Sequence, residues 1–124
     1  MNLIKKWLHW LVSKDSAPPR IEPGEAADRV AKGVAVLIDV REPDEWKDGV
    51  AQPAHLLALS DLTGPRRQWK PFLEQHKGRE LILYCRAGGR AGQAAATLAK
   101  EGHRVANLGG FNSWVAAKLP VRQP

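Results

Sequence analysis

The chain has 124 residues, of which 44% are hydrophobic and 26% charged, and its formal net charge is +6. This length and composition are typical of one globular domain and exclude disordered, collagen-like and disulfide-stapled chains. The longest apolar stretch is well short of the about 20 residues that a membrane-spanning helix needs, and a single cysteine, Cys85, excludes an intrachain disulfide.

The first predicted element is an amphipathic helix over residues 3–12, followed by a linker rich in proline and serine that ends at residue 20. Its apolar positions fall on one face, opposite Lys5, Lys6 and His9; they are Leu3, Ile4, Trp7, Leu8 and Leu11. The charged residues leave no continuous apolar core of a signal peptide, so we expect the segment to be retained. Its apolar face predicts a contact with the domain, with a second copy, or with a membrane surface as a peripheral helix.

From residue 21 onward, short apolar strands alternate with helices that proline and glycine delimit. The sequence predicts strands over 35–40, 56–59, 81–84 and 104–108, and helices over 23–32, 42–48, 66–76, 91–101 and 111–117. Pro71 is expected to divide or bend its helix. Alternating strands and helices predict an α/β fold, in which a mainly parallel sheet is covered on both faces.

A candidate site follows the strand over 81–84, where the loop Cys85-Arg86-Ala87-Gly88-Gly89-Arg90 leads directly into a helix. Ligands of open α/β sheets sit beyond the carboxyl ends of the strands. The two glycines allow successive backbone N–H groups to point into one concavity, and the helix adds its positive N-terminal end. Because these groups and both arginines stabilise negative charge, we predict that Cys85 is a nucleophilic thiolate and that residues 86–90 bind an anion.

The charge distribution also favours an anionic ligand near the second half of the chain. Residues 65–124 hold eleven basic and three acidic side chains, a net charge of +8, whereas residues 21–64 hold four basic and nine acidic ones, a net charge of −5. The basic residues are scattered, without a long run or interleaved aromatic residues, so no nucleic-acid partner is expected. The histidines show no metal-ligand spacing, and no metal is predicted.

Three segments, in this order and spacing, resemble single-domain rhodaneses. They are LIDVREPDEW (residues 37–46), CRAGGR (residues 85–90) and GHRVANLGGFNSW (residues 102–114). The resemblance covers residues 21–121, leaving residues 1–20 and a tail of residues 122–124 outside it. One departure follows Gly49, where Val50 to Pro53 replace the histidine-containing pattern usual in the family.

This resemblance implies a three-layer α/β/α sandwich and a sulfurtransferase. The single cysteine separately favours a cytoplasmic location, where a lone thiol is most easily kept reduced. By analogy, the Cys85 thiolate takes the sulfane sulfur of thiosulfate or a similar anionic donor and becomes a persulfide. Cyanide, or the thiol of a small molecule or protein, then accepts the outer sulfur. The scheme requires no metal, nucleotide or flavin. In the Asp-Val-Arg segment, Asp39 is expected to brace the fold, whereas Arg41 is expected to face the pocket and help to bind the donor.

Two other functions remain open at this point. Related folds use a cysteine loop to hydrolyse phosphate esters or to reduce arsenate, but their loops have the longer spacing Cys-x5-Arg, whereas Cys85 and Arg90 give Cys-x4-Arg. A non-catalytic binding module that kept the fold is the second alternative. Loss of the nucleophile or of the loop glycines is typical of such modules, and this sequence retains both.

Overall fold

The computed structural model describes residues 17–124, so the helix predicted over residues 3–12 lies outside the described residues. In chain order the elements are α1 (Pro23–Ala31), β1 (Ala35–Asp39), α2 (Pro43–Trp46), β2 (Val50–Ala51), β3 (His55–Leu56), α3 (Leu59–Leu62), α4 (Trp69–Gln75), β4 (Glu80–Cys85), α5 (Gly89–Lys100), β5 (Val105–Gly110), α6 (Phe111–Ala116) and β6 (Val121–Arg122). None of these helices combines the length and apolar character needed to cross a bilayer.

Four strands form the central sheet in the order β3-β1-β4-β5, and every neighbouring pair is parallel. The segment before α1 extends this sheet, because Arg20 bridges to Asn107 of β5. A separate antiparallel pair joins β2 to β6. The predicted α/β fold class with a mainly parallel sheet is confirmed.

Alternation of side chains along the strands divides the core into two layers. Leu81 and Leu83 of β4 pack with residues of α3, α4 and α5, as does Cys85. Ile82 and Tyr84 point to the opposite face, which α1 and α6 cover. Cys85 therefore lies on the side of the sheet where the α5 helix begins.

Several boundaries differ from the predictions for identifiable reasons. The strand predicted over 56–59 is β3, His55–Leu56, and Leu59 already begins α3. Pro71 does not divide its helix: α4 starts at Trp69, so the proline lies in the first turn, where a backbone N–H has no partner within the helix. Arg122, which lies in the predicted tail of residues 122–124, pairs with Val50 in the β2–β6 pair.

Candidate active site

The sulfur of Cys85 lies at the bottom of the loop that joins β4 to α5. Cys85 is the last residue of β4, and only 1% of its surface is exposed. Its place in the alternating strand pattern directs the side chain toward the first turn of α5. The nucleophile predicted from the sequence is thus held at the carboxyl end of a central strand, where ligands of α/β sheets bind.

Two backbone N–H groups of the loop and helix donate hydrogen bonds to this sulfur. The Gly88 nitrogen is 3.0 Å from Sγ, and the Ala91 nitrogen is 3.4 Å from it. Gly88 precedes α5 with a φ of 107°, a left-handed conformation that glycine adopts without strain. Both N–H groups belong to the beginning of a twelve-residue helix. Backbone N–H donors at the start of a helix favour negative charge on the atom that accepts from them. That Cys85 acts as a thiolate stays a prediction.

Residues of β5 contact the loop that joins β4 to α5. The Asn107 side chain donates a hydrogen bond from Nδ2 to the Gly88 carbonyl oxygen over 3.2 Å, and its Oδ1 accepts one from the Gly109 nitrogen over 2.8 Å. At Gly110 the loop passes so close that a Cβ atom would overlap the Arg86 carbonyl oxygen. The loop therefore depends on an asparagine and a glycine that lie about twenty residues after it.

The two loop arginines turn toward one carboxylate. Glu45 of α2 accepts hydrogen bonds from Arg90 Nη1 and Nη2 over 2.6 and 2.8 Å and from Arg86 Nε over 3.3 Å. The hydrogen bonds from Arg90 lower the pKa of Glu45 to about 2, with a smaller contribution from Arg86. The sequence predicts that both arginines bind an anion. Glu45 balances part of their positive charge. Anion binding by these arginines stays a prediction.

Arg41, which the resemblance assigns to donor binding, has buried partners on several sides. Its guanidinium is 4% exposed, forms an ion pair with the buried carboxylate of Asp39 at 2.7 Å and donates to the Gly49 carbonyl oxygen over 2.8 Å. It also lies over the Phe111 ring, 4.7 Å from the ring centroid. These contacts join β1 to the chain around β2 and α6. They support a bracing role of both charged residues, and donor binding by Arg41 stays a prediction.

His55, an exposed residue of β3, lies beside aromatic side chains of the α4 segment. Its ring is 5.0 Å from the ring of Phe72 and 5.4 Å from that of His76, measured between centroids. Burial lowers the pKa of His55, and the neighbouring charge of His76 lowers it further. The histidine belongs to a packed aromatic cluster.

Three supporting residues were missed in the sequence. Glu45 carries a local signal, since Glu42 and Glu45 have capping-box spacing and their reciprocal bonds are present. Nothing local marks its pairing with arginines more than forty residues away. Asn107 and Gly110 likewise acquire their roles from the pairing of β4 with β5.

The assembled site can perform nucleophilic chemistry on an electrophilic atom small enough to enter the loop. It supplies one thiol, two convergent N–H donors and two nearby guanidinium groups, of which Arg86 is 68% and Arg90 34% exposed. A covalent intermediate on Cys85 would remain within reach of the same donors.

Comparison with known proteins gives one family match: the model of the rhodanese-like domain matches residues 22–117. A protein of Allochromatium vinosum named "Sulfurtransferase" is 36% identical over 91 residues, covering 72% of this chain and 79% of that protein. The protein YqhL of Bacillus subtilis is 42% identical over 82 residues; the match covers 64% of this chain and 60% of YqhL.

Among solved structures, the rhodanese-related protein of Thermoplasma volcanium superimposes with a TM-score of 0.71 at 23% identity. The match covers 86% of this chain and 99% of the other. At this level of identity the likeness concerns the fold. It agrees with the parallel sheet covered by helices on both faces.

Proposed function

The chain belongs to the rhodanese-like domain family, and on that premise we propose that it is a sulfurtransferase whose nucleophile is Cys85. The membership confirms the resemblance carried by residues 37–46, 85–90 and 102–114. The observation that carries the proposal is the sulfur of Cys85 at the bottom of the loop, 3.0 Å from the Gly88 nitrogen. The name of the Allochromatium vinosum relative supports the same reaction class.

In the first half-reaction, the Cys85 thiolate attacks the sulfane sulfur of thiosulfate or a similar donor. A new S–S bond forms to Cys85, the S–S bond of the donor breaks, and sulfite leaves with the bonding electron pair. The product is a persulfide whose negative charge lies on the outer sulfur. The backbone N–H groups of Gly88 and Ala91, which donate to the Cys85 sulfur, support this step because such donors stabilise negative charge.

In the second half-reaction, an acceptor removes the outer sulfur. Cyanide attacks it, thiocyanate leaves, and the Cys85 thiolate is restored. The thiolate of a small molecule or protein reacts in the same way and becomes a persulfide. Because the chain has one cysteine, no second thiol of its own is available as acceptor. The proposal places the reaction in the cytoplasm, where a lone thiol stays reduced.

The phosphatase alternative fits the loop less well. Its spacing, Cys-x4-Arg, gives a smaller cradle than the Cys-x5-Arg of phosphate-binding loops. A binding module without activity would have no need for N–H groups directed at the thiol. Sulfur transfer at Cys85 accounts for the small loop and for the two N–H groups directed at the thiol.

Formation of thiocyanate from thiosulfate and cyanide tests the proposal. The full chain should turn over, and Cys85→Ser should reduce the rate to that of the uncatalysed reaction, because a hydroxyl cannot form the persulfide. Hydrolysis of p-nitrophenyl phosphate by the same preparations separates the alternatives. Appreciable phosphatase turnover with no thiocyanate would contradict the proposal, and inactivity toward both substrates would favour the binding module.

A further inference from the structure

The carboxylate of Glu45 has a donor at every favourable position. Oε1 accepts from Arg90 Nη1 at 2.6 Å and from the Glu42 nitrogen at 3.2 Å. Oε2 accepts from Arg90 Nη2 at 2.8 Å and from Arg86 Nε at 3.3 Å. A carboxylate has about four lone-pair positions, so these bonds fill it. The side chain is 17% exposed, and its capping-box bond fixes it to α2 independently of the loop.

This arrangement places a permanent negative charge beside the loop. The formal charge of the three side chains is +1, two guanidinium charges less one carboxylate charge. Arg90 ends the loop that begins at Cys85, and its hydrogen bond to Glu45 raises the pKa of Arg90. An incoming anion therefore meets the repulsion of Glu45 together with the attraction of the arginines.

We propose that Glu45 is a specificity-determining residue that selects sulfur donors by charge, disfavouring dianionic donors relative to monoanionic ones. The inference rests on the proposed function and refines its donor class. Coulomb repulsion scales with the charge of the approaching group, so each added negative charge on the donor increases the effect of Glu45. The arginines remain available for binding, because Glu45 occupies only two of the five N–H donors of Arg90.

Two sulfur donors that react in the same way but differ in net charge isolate the effect of donor charge. Thiosulfate carries two negative charges, and the methanethiosulfonate anion carries one. In both, the Cys85 thiolate attacks the sulfane sulfur and the donor S–S bond breaks. Sulfite leaves from thiosulfate and methanesulfinate leaves from methanethiosulfonate, each with the bonding pair, and the same persulfide remains.

The test measures kcat/KM for both donors, with cyanide as acceptor, in the full chain and in Glu45→Gln. We expect the thiosulfate to methanethiosulfonate ratio to rise roughly three- to tenfold in Glu45→Gln, mainly through a lower KM for thiosulfate. Glu45→Asp, which keeps the charge, should stay closer to the original ratio than Glu45→Gln. The increase should shrink at high ionic strength, because salt screens partly exposed charges.

Restoring the original formal charge of the Glu45, Arg86 and Arg90 side chains provides a second test. Arg86 is largely exposed, so Arg86→Gln should fold normally and lower the ratio. The double variant Glu45→Gln with Arg86→Gln returns the formal charge to +1 and should return the ratio toward that of the original chain. Glu45→Ala is a neutral variant of different shape, which keeps the measurement possible if glutamine disturbs the loop.

An unchanged ratio in the neutral variants would overturn the inference. A falling ratio would also overturn it, because Glu45 would then orient the arginines to bind the dianion. A general disturbance of the loop would lower kcat/KM for both donors by the same factor. The ratio would then be unchanged, which also counts against the inference. If the original chain transfers sulfur from neither donor, the proposed function itself fails, an outcome distinct from an unaltered ratio in an active protein.

Discussion

The side chain of Asn107 donates a hydrogen bond to the Gly88 carbonyl oxygen over 3.2 Å and thereby ties β5 to the loop that surrounds Cys85. The same residue accepts a hydrogen bond from the Gly109 nitrogen. Its backbone is also paired, donating to the Pro19 carbonyl oxygen and accepting from the Ile21 nitrogen. One buried asparagine thus joins the segment before α1, the end of β5 and the residue whose N–H group donates to the sulfur.

Replacement of Asn107 by alanine should lower both stability and sulfur transfer. Buried backbone groups of Gly88 and Gly109 would lose their partner, at a cost of about 1–3 kcal/mol in the free energy of unfolding. We expect kcat to fall more than KM rises, because the Gly88 N–H group would no longer be held toward the sulfur. Urea unfolding and thiocyanate formation measure the two effects. The control is Asn112→Ala, an exposed asparagine of α6; equal effects in both variants would contradict this role of Asn107.

Gly110→Ala should disturb the nucleophile loop more severely. The added Cβ would overlap the Arg86 carbonyl oxygen, a backbone atom that can move only with the loop. Core overpacking costs about 1–3 kcal/mol, and we expect at least a tenfold loss of sulfur transfer. Gly24→Ala is the matched control, because a Cβ there meets open space. Retention of full activity by Gly110→Ala would show that the loop tolerates displacement.

The cluster of His55, Phe72 and His76 predicts loss of stability at mildly acidic pH. Burial lowers the pKa of His55 and of His76 in the folded protein. The charge of His76 lowers the pKa of His55 further, and the charge of Arg79 lowers that of His76. The unfolded chain therefore binds more protons below its ordinary histidine pKa of about 6.5. The contribution of these histidines to the free energy of unfolding should be fully present above that pH and should decline as the pH falls below it.

Urea unfolding at pH 7.5 and 5.5 measures this decline. His55→Phe keeps a ring against Phe72 and removes one titrating group, so its loss of stability between the two pH values should be smaller. His103→Gln, outside the cluster, is the control. A pH dependence identical in His55→Phe and the original chain would exclude His55 as its source.

Much of the fold was predictable because its signals are local. Proline and glycine delimit α1, and the alanine-rich run before Gly102 indicates α5. The pairing of β2 with β6 was missed because Val50 and Arg122 are far apart in the chain and each strand has only two residues. The first turn of α4 accommodates Pro71, a position that depends on where the helix begins.

The candidate site was predictable to the extent that it is contiguous. Cys85, Gly88 and Arg90 lie in one loop, and their residue types alone indicate an anion-stabilising thiol site. Glu45 reaches the loop from α2, and Asn107 reaches it from β5, so their contribution requires the assembled sheet. The resemblance assigns Arg41 to the pocket; its ion pair with the buried Asp39 carboxylate could not be seen from the sequence, because burial depends on the folded core.

The amphipathic pattern of residues 3–12 stays a prediction, since these residues lie outside the described part of the chain. Burial of a large apolar side chain is worth roughly 1.5–3 kcal/mol, so we expect the segment to pack on the domain or on a second copy. Co-sedimentation with anionic liposomes compares the full chain with a chain that begins at Ser16. We expect negligible lipid binding by both and retained sulfur transfer in the shorter one. Lipid binding by the full chain alone would establish a peripheral membrane helix instead.

The intact mass of the protein after incubation with a sulfur donor tests the persulfide on Cys85 most directly. With excess thiosulfate or methanethiosulfonate, the full chain should gain about 32 Da, one sulfur atom, and cyanide should remove the gain. Cys85→Ser should gain nothing under the same conditions. Absence of the adduct in the original chain with both donors, or the same cyanide-sensitive adduct in Cys85→Ser, would contradict sulfur transfer through Cys85.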